Sequence, residues 1–331
     1  MAEEKYLMDL RRVRTSSHVR ELAASVRLSH RAFIQPLFVD EGLTSPRAIN
    51  GLHGVFVDAT TSIIQTIEND MARGITKFLL FPVPLKKGET NFDFSFAAQT
   101  VHIIKKTFVN SIWLAADLCL CSYTAHGHCG VLTDSYDAID NDRSVSALSN
   151  YALHLAEAGI DCIAPSDMMD GRIRSIRSSL DQSGHENISI LAYSAKFSSQ
   201  FYGPFRDACH SSPKGGQLKD RKSYQLSPSN LYDALHTALR DEEEGADFIM
   251  VKPATLYLDV ISAIRKAVRK PVAAYHVSGE YAAIEALASM QMLDRKAAHL
   301  EAWTSLARGG ADIIISYAAR NAREWIENME L

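Results

Sequence analysis

GADFIMVKPATLYLDVISAIRKAVRKPVAAYHVS (245–278) reads as strand, helix, strand. ADFIMVKP (246–253) and PVAAYHVS (271–278) are short apolar runs punctuated by Gly245, Pro253 and Pro271. The intervening LYLDVISAIRKAVRK (256–270) places apolar residues at three- and four-residue spacing and its charges on the other face. Outward from this unit the same alternation recurs. Apolar, β-branched runs lie at RAFIQPLFVD (31–40), KFLLFP (77–82), SIWLAADL (111–118), GIDCIAPS (159–166), ISILAYSAK (188–196) and ADIIISY (311–317). Helical stretches such as SVSALSNYALHLAEAG (144–159) and SNLYDALHTALRDEEEG (229–245) separate them, with Gly159 and Gly245 in C′ positions. Eight strand-helix repeats close into a (β/α)₈ TIM barrel, whereas an open doubly wound sheet stops at about five or six strands. The expected organisation is an arm over 1–30, containing the basic RRVRTSSHVRE (11–21), followed by one barrel over 31–331.

Composition excludes several classes of function. The 35 Lys+Arg nearly balance 39 Asp+Glu, for a net charge of -4 without long blocks of one sign, which argues against nucleic acid as partner. No apolar run approaches the roughly 20 residues that cross a bilayer, and the start MAEEKYLMDLRR lacks the apolar core of a secretory signal. With an odd number of cysteines, five, a reducing cytoplasm is the expected setting.

Barrel chemistry sits at the C-terminal ends of the strands. The third to eighth runs end in Asp117, Ser166, Lys196, Lys252, Ser278 and Tyr317. Lys252 follows Phe248, Ile249, Met250 and Val251; a lysine beside such a wall has its charged form destabilised and becomes a nucleophile toward ketones. Two lysines on neighbouring strands fit either two carbonyl substrates or one amine depressed by a cationic neighbour. FYGPFRDACHSSPKGGQLKDRKSYQ (201–225) is too long for an ordinary connection and reads as a lid. It carries Arg206, Lys214, Lys219, Arg221 and Lys222 against Asp207 and Asp220, a bias that suits a small anionic substrate, and its aromatics Phe201, Tyr202 and Phe205 lie beside Arg206. In DLCLCSYTAHGHCG (117–130), Cys119, Cys121 and Cys129 form a C-x-C-x₇-C pattern, three thiolates suited to an open, catalytic style of zinc site. Cys162 reads as a core residue and Cys209 as part of the lid.

DLCLCSYTAHGHCG, APSDMMDGR (164–172), YSAKFSSQFYGPFR (193–206), DRKSYQ (220–225), MVKPA (250–254) and YHVSGEY (275–281), in this order, closely resemble the porphobilinogen synthase family, also called 5-aminolevulinate dehydratase. The resemblance runs from about residue 10 to the end. It implies condensation of two molecules of 5-aminolevulinate to porphobilinogen through Schiff bases, on Lys252 for the first substrate and Lys196 for the second. By the same match Ser278 and Tyr317 would hold the first substrate's carboxylate, Arg206, Arg221 and Gln225 the second's, and Asp117, Ser166, Tyr202 and Phe205 would line the site. Cys119, Cys121 and Cys129 match the zinc-dependent branch. A homo-oligomer, typically an octamer joined through N-terminal arms, is also implied. Where some relatives carry a magnesium-binding glutamate fifteen residues before the Schiff-base lysine, this chain has Thr237. Two rival readings are a Schiff-base aldolase for a phosphorylated sugar or ketoacid, and an idle barrel that stores zinc. The first lacks a glycine-rich phosphate loop after strands seven and eight, and the lysine pair speaks against the second.

Overall fold

A computed structural model describes residues 10–213 and 218–329; Lys214, one of the lid's basic residues, lies outside that range. Among the described residues ten strands form: β1 (Phe33–Asp40), β2 (Arg47–Ala48), β3 (Phe56–Asp58), β4 (Lys77–Val83), β5 (Trp113–Leu118), β6 (Cys162–Pro165), β7 (Ser189–Lys196), β8 (Phe248–Lys252), β9 (Val272–His276) and β10 (Ile313–Ser316). Eight of them run parallel in the order β10-β9-β8-β7-β6-β5-β4-β1, and β10 pairs back onto β1 through Phe33↔Ile314 and Ile34↔Ile315. This closed sheet with helices around it is the TIM barrel expected from the eight apolar runs. The remaining pair, β2 and β3, is a short antiparallel hairpin whose second strand lies along β1, and it was not foreseen.

Both faces of the barrel strands are covered, so the strands are mostly apolar and buried along their length rather than alternating. All eight residues of β1 and all five of β9 are buried. Helix starts are fixed by short polar side chains: Asp140 accepts from the Arg143 N–H, Asn230 from Asp233 and Asp294 from Ala297, each satisfying a donor that the first turn leaves unpaired. Helix ends use glycine as expected, with Gly159 at φ 88° and Gly245 at φ 106°. Before the barrel, a 3₁₀ turn (Leu10–Arg14) and a helix (Ser17–Ala23) contain no buried residue among Ser17–Ala23.

Candidate active site

The strand ends bring one constellation together. Asp117, Cys121, Ser166, Lys196, Tyr202, Phe205, Arg206, Arg221 and Lys252 line a single closed cavity. Its free space, about 10 Å³, is little more than one water occupies. Nine of the sequence-derived candidates are thus in place or at its wall, counting Cys121, while Gln225, Ser278 and Tyr317 are buried outside that lining.

The two lysines converge because β7 carries one extra residue. Ala192 pairs with Ile249, yet Ala195 pairs with Val251 and Lys196 with Lys252, so three steps along β7 match two along β8. Side chains alternate faces with a period of two, and a slip of one residue moves every later side chain to the opposite face. Without the irregularity Ala195 would stand beside Lys252, and Lys196 would point out of the barrel. With it, Lys196 and Tyr193, an odd number of residues apart, both face inward: Lys196 Nζ lies 5.8 Å and Lys252 Nζ 5.0 Å from the same Tyr193 ring centre.

Lys252 Nζ sits in an aromatic cage, 4.2 Å from the ring centre of Tyr275, 5.0 Å from Phe205 and 5.4 Å from Tyr202. Burial and then the positive charge of Lys196 lower its pKa to about 7, against the opposing pull of Asp117. Lys196 Nζ donates to the Ser166 carbonyl. Asp117, in the cavity lining, has its carboxyl raised by burial, although both lysines and Ser166 favour its charged form.

The segment after β7 closes over these groups. Tyr202 donates to the carbonyls of Phe197 (2.8 Å) and Lys252 (3.1 Å), and Phe205 packs edge-on against Phe81. Ser278, the first residue of a helix (Ser278–Ser289), accepts from the Phe205 N–H at 3.3 Å and donates to the Phe201 carbonyl at 3.2 Å. Beside it Gly279 must be glycine, because a Cβ there would stand 2.7 Å from the Phe201 backbone. Tyr317 reaches Tyr275 through a 3.3 Å hydroxyl contact and stacks on Phe38. Arg206 Nε, Arg221 Nε and both amide atoms of Gln225 are buried without a hydrogen-bond partner among the described residues. Buried polar atoms left unpaired are costly, and two of these three residues, Arg206 and Arg221, line the cavity.

Cys119, Cys121 and Cys129 are buried, and their sulfurs lie within 4.8 Å of one another. Zinc–sulfur bonds of about 2.3 Å at tetrahedral angles need sulfurs roughly 3.8 Å apart, so small side-chain adjustments suffice. The Cys129 thiol is held well below the usual range by hydrogen bonds from Cys119 and Cys121, with Arg221 and Lys196 adding positive charge. Soft, deprotonatable donors in a cationic surround could hold a metal ion. Arg221 ties this loop to the lid, donating to the Gly127 carbonyl (2.8 Å) and the Ser211 carbonyl (2.5 Å). Gly127, at φ 77°, lies so near Ser212 that a Cβ would meet its carbonyl oxygen at 2.5 Å. Tyr224 and His128, hydrogen-bonded to each other at 3.1 Å, complete the seam. Cys162 is buried in β6 and Cys209 in the lid, both as free thiols. The cage residues Tyr193 and Tyr275 were not singled out from the sequence, where an aromatic inside an apolar strand looks like core.

Comparison with known proteins agrees with this geometry. A family model described as delta-aminolevulinic acid dehydratase matches residues 8–325. The chain belongs to the delta-aminolevulinic acid dehydratase family. Delta-aminolevulinic acid dehydratases of Bacillus subtilis and Helicobacter pylori are each 40% identical to it, over 96% of this chain and 97% and 98% of theirs. The crystal structure of the family's Toxoplasma gondii member, also named porphobilinogen synthase and solved with its reaction product porphobilinogen, superposes with a TM-score of 0.92 at 39% identity. That match covers 97% of this chain and 92% of the Toxoplasma one. A lyase of this family acting on a small molecule is the activity these relatives carry, and among the described residues no helix is long and apolar enough to cross a membrane.

Proposed function

We propose that the protein condenses two molecules of 5-aminolevulinate into porphobilinogen with release of two waters. The observation that carries this reading is the pair Lys196 and Lys252, side by side on adjacent strands, facing one cavity and sharing one aromatic ring. A single Schiff-base reaction needs one such amine; two convergent ones suit two ketones.

Lys252 near pKa 7 is neutral in about half of molecules at neutral pH, so its lone pair can add to the ketone of the first substrate and expel its oxygen as water. Lys196, held by the Ser166 carbonyl, takes the second ketone. Each iminium draws electrons from its neighbouring carbon, which then gives up a proton to form an enamine nucleophile. Asp117, raised toward neutrality and facing both lysines, is placed to accept and return that proton. The enamine of one substrate attacks the iminium carbon of the other to form the carbon–carbon bond, and the lysine left on that carbon is eliminated as its free amine. Attack by the free substrate amine on the remaining iminium closes the ring and expels the second lysine, and loss of a proton completes the aromatic pyrrole. The second substrate's carboxylate is assigned to the unpartnered donors of Arg206, Arg221 and Gln225, and the first's to Ser278 and Tyr317. Residues 201–213 and 218–225 act as a lid: product does not fit the closed cavity, so these residues must move for entry and release.

Cys119, Cys121 and Cys129 are proposed as zinc ligands, since three thiolates select zinc over magnesium. When bound, zinc supplies Lewis acidity toward an oxygen of the second substrate. The exposed segment before the barrel is proposed as an arm that packs on other copies in a homo-octamer, and five free thiols suit a reducing cytoplasm. Incubation of the purified, zinc-supplemented protein with 5-aminolevulinate should yield porphobilinogen; no product under those conditions refutes the function.

A further inference from the structure

The extra residue that turns Lys196 inward needs something to hold it, because a bulge forfeits regular ladder bonds and could relax into the unshifted register. On its other side, β7 pairs with β6 only through Cys162↔Ser189 and Ile163↔Ile190. Beyond Ile190 that edge of β7 faces the turn after β6, Ser166–Gly171, and the first residue of the following helix, Arg172. Arg172 is completely buried behind the barrel wall. Its Nη2 donates to the Tyr193 carbonyl, inside the irregular stretch, at 3.4 Å. Its Nη1 donates to the Met169 carbonyl at 3.2 Å, and Asp241 holds the fork from behind at 3.0 and 3.4 Å. Asp167, 3.6 Å from Arg172 Nε, accepts from the Met169 N–H at 2.6 Å. The turn is itself strained, with Met168 at φ 81°, and it carries the Ser166 carbonyl that receives Lys196 Nζ.

We infer that Arg172 is a positioning residue for Lys196: one buried guanidinium clamps both the bulge that sets the lysine's face and the turn whose carbonyl receives its amine. The clamp makes no hydrogen bond to Lys252, which β8, β9 and the rings of Tyr275, Phe205 and Tyr202 orient; of the cage only the Tyr193 ring belongs to the clamped stretch. Only a planar fork with several donors spans Tyr193, Met169 and Asp241 at once; a lysine in its place offers the charge from a single point. The burial of three charges so close to the barrel is thereby given a task, since a buried ion cluster is weak evidence for stability by itself.

This inference rests on Lys196 being a Schiff-base lysine, and its test separates the two. Wild type and Arg172→Lys are reduced with borohydride over a range of 5-aminolevulinate concentrations, and adducts are mapped to Lys252 and Lys196. In the wild type both lysines should be marked; absence of a Lys196 adduct there defeats the reading of the site itself. In Arg172→Lys, half-maximal marking of Lys196 should require at least tenfold more substrate, while Lys252 marking stays within twofold. Equal loss at both lysines, or no change at either, overturns the inference. Should Arg172→Lys not fold, Asp167→Asn decides by the same readout. It keeps an acceptor for Met169 but removes the charge facing Arg172 Nε, and the selective loss at Lys196 should persist at about threefold; a uniform effect overturns the inference here too.

Discussion

Lys252 should gain its reactivity over a pH interval far below that of an ordinary lysine. With its pKa lowered from 10.5 to about 7, the neutral fraction at pH 7 is about half, against roughly 0.03% for an unperturbed lysine, an advantage of about 10³-fold in available amine. Because deprotonation creates the nucleophile, single-turnover formation of the Lys252 adduct should rise as pH increases through about 7 and level off above it. The groups facing this amine are Lys196 on β7, Asp117 on β5, and the thiols of Cys121 and Cys209, within a shell of aromatic rings. Burial is the largest cause and Lys196 the second. Lys196→Met should therefore shift the rise to higher pH while leaving it well below the ordinary lysine range, and Asp117→Asn should shift it to lower pH. Trapping by borohydride at fixed short times, across pH 5.5 to about 10, measures the rise in each protein. A wild-type limb above pH 9, or an unchanged limb in Lys196→Met, would refute the assignment of the depressed amine to this environment.

The lid arginines should act on the second substrate. Charge-assisted hydrogen bonds contribute about 1.5–3 kcal/mol, so Arg206→Ala should raise the concentration needed for the second molecule by roughly tenfold to 150-fold, read from saturation of product formation. Gly127→Ala, which drives a methyl group into the Ser212 carbonyl, should lower turnover at least tenfold by holding the lid off the cysteine loop, with circular dichroism unchanged. Magnesium should stimulate little through position 237, because Thr237 spends its hydroxyl on the Asp233 carbonyl and has no carboxylate; activation that Thr237→Glu left unaltered would place any magnesium elsewhere. Chelation should abolish activity without loss of the folded signal, since the core is built from the eight strands rather than from the metal, and zinc should restore it; full activity in zinc-free protein refutes the metal assignment.

The barrel was legible because its strands are short apolar runs bounded by turn residues, and the strand-end rule then pointed to Asp117, Ser166, Lys196 and Lys252. The facing of those residues was not. In ISILAYSAK every residue from Ile190 to Lys196 is buried, so no alternation marks which side chains point inward, and the extra residue in β7 leaves no trace in composition. Arg172 looked like one member of a motif; its partners Tyr193 and Asp241 are 21 and 69 positions away. The β2–β3 hairpin escaped notice because strands of two and three residues carry no periodicity. Tyr317 directly follows β10 and Ser278 opens the helix after β9, yet they bond to Phe201, Phe205 and Tyr275 instead of lining the closed cavity.

Mapping both Schiff bases in one experiment tests the two-lysine reading most directly. The zinc-loaded enzyme is mixed with 5-aminolevulinate, reduced with borohydride during turnover and digested for peptide mass spectrometry. Adducts should appear at Lys252 at low substrate concentration and at both Lys252 and Lys196 as it rises, with porphobilinogen accumulating in the unreduced control. Adducts confined to other lysines, or product formed by a Lys252→Ala enzyme at the wild-type rate, would contradict it.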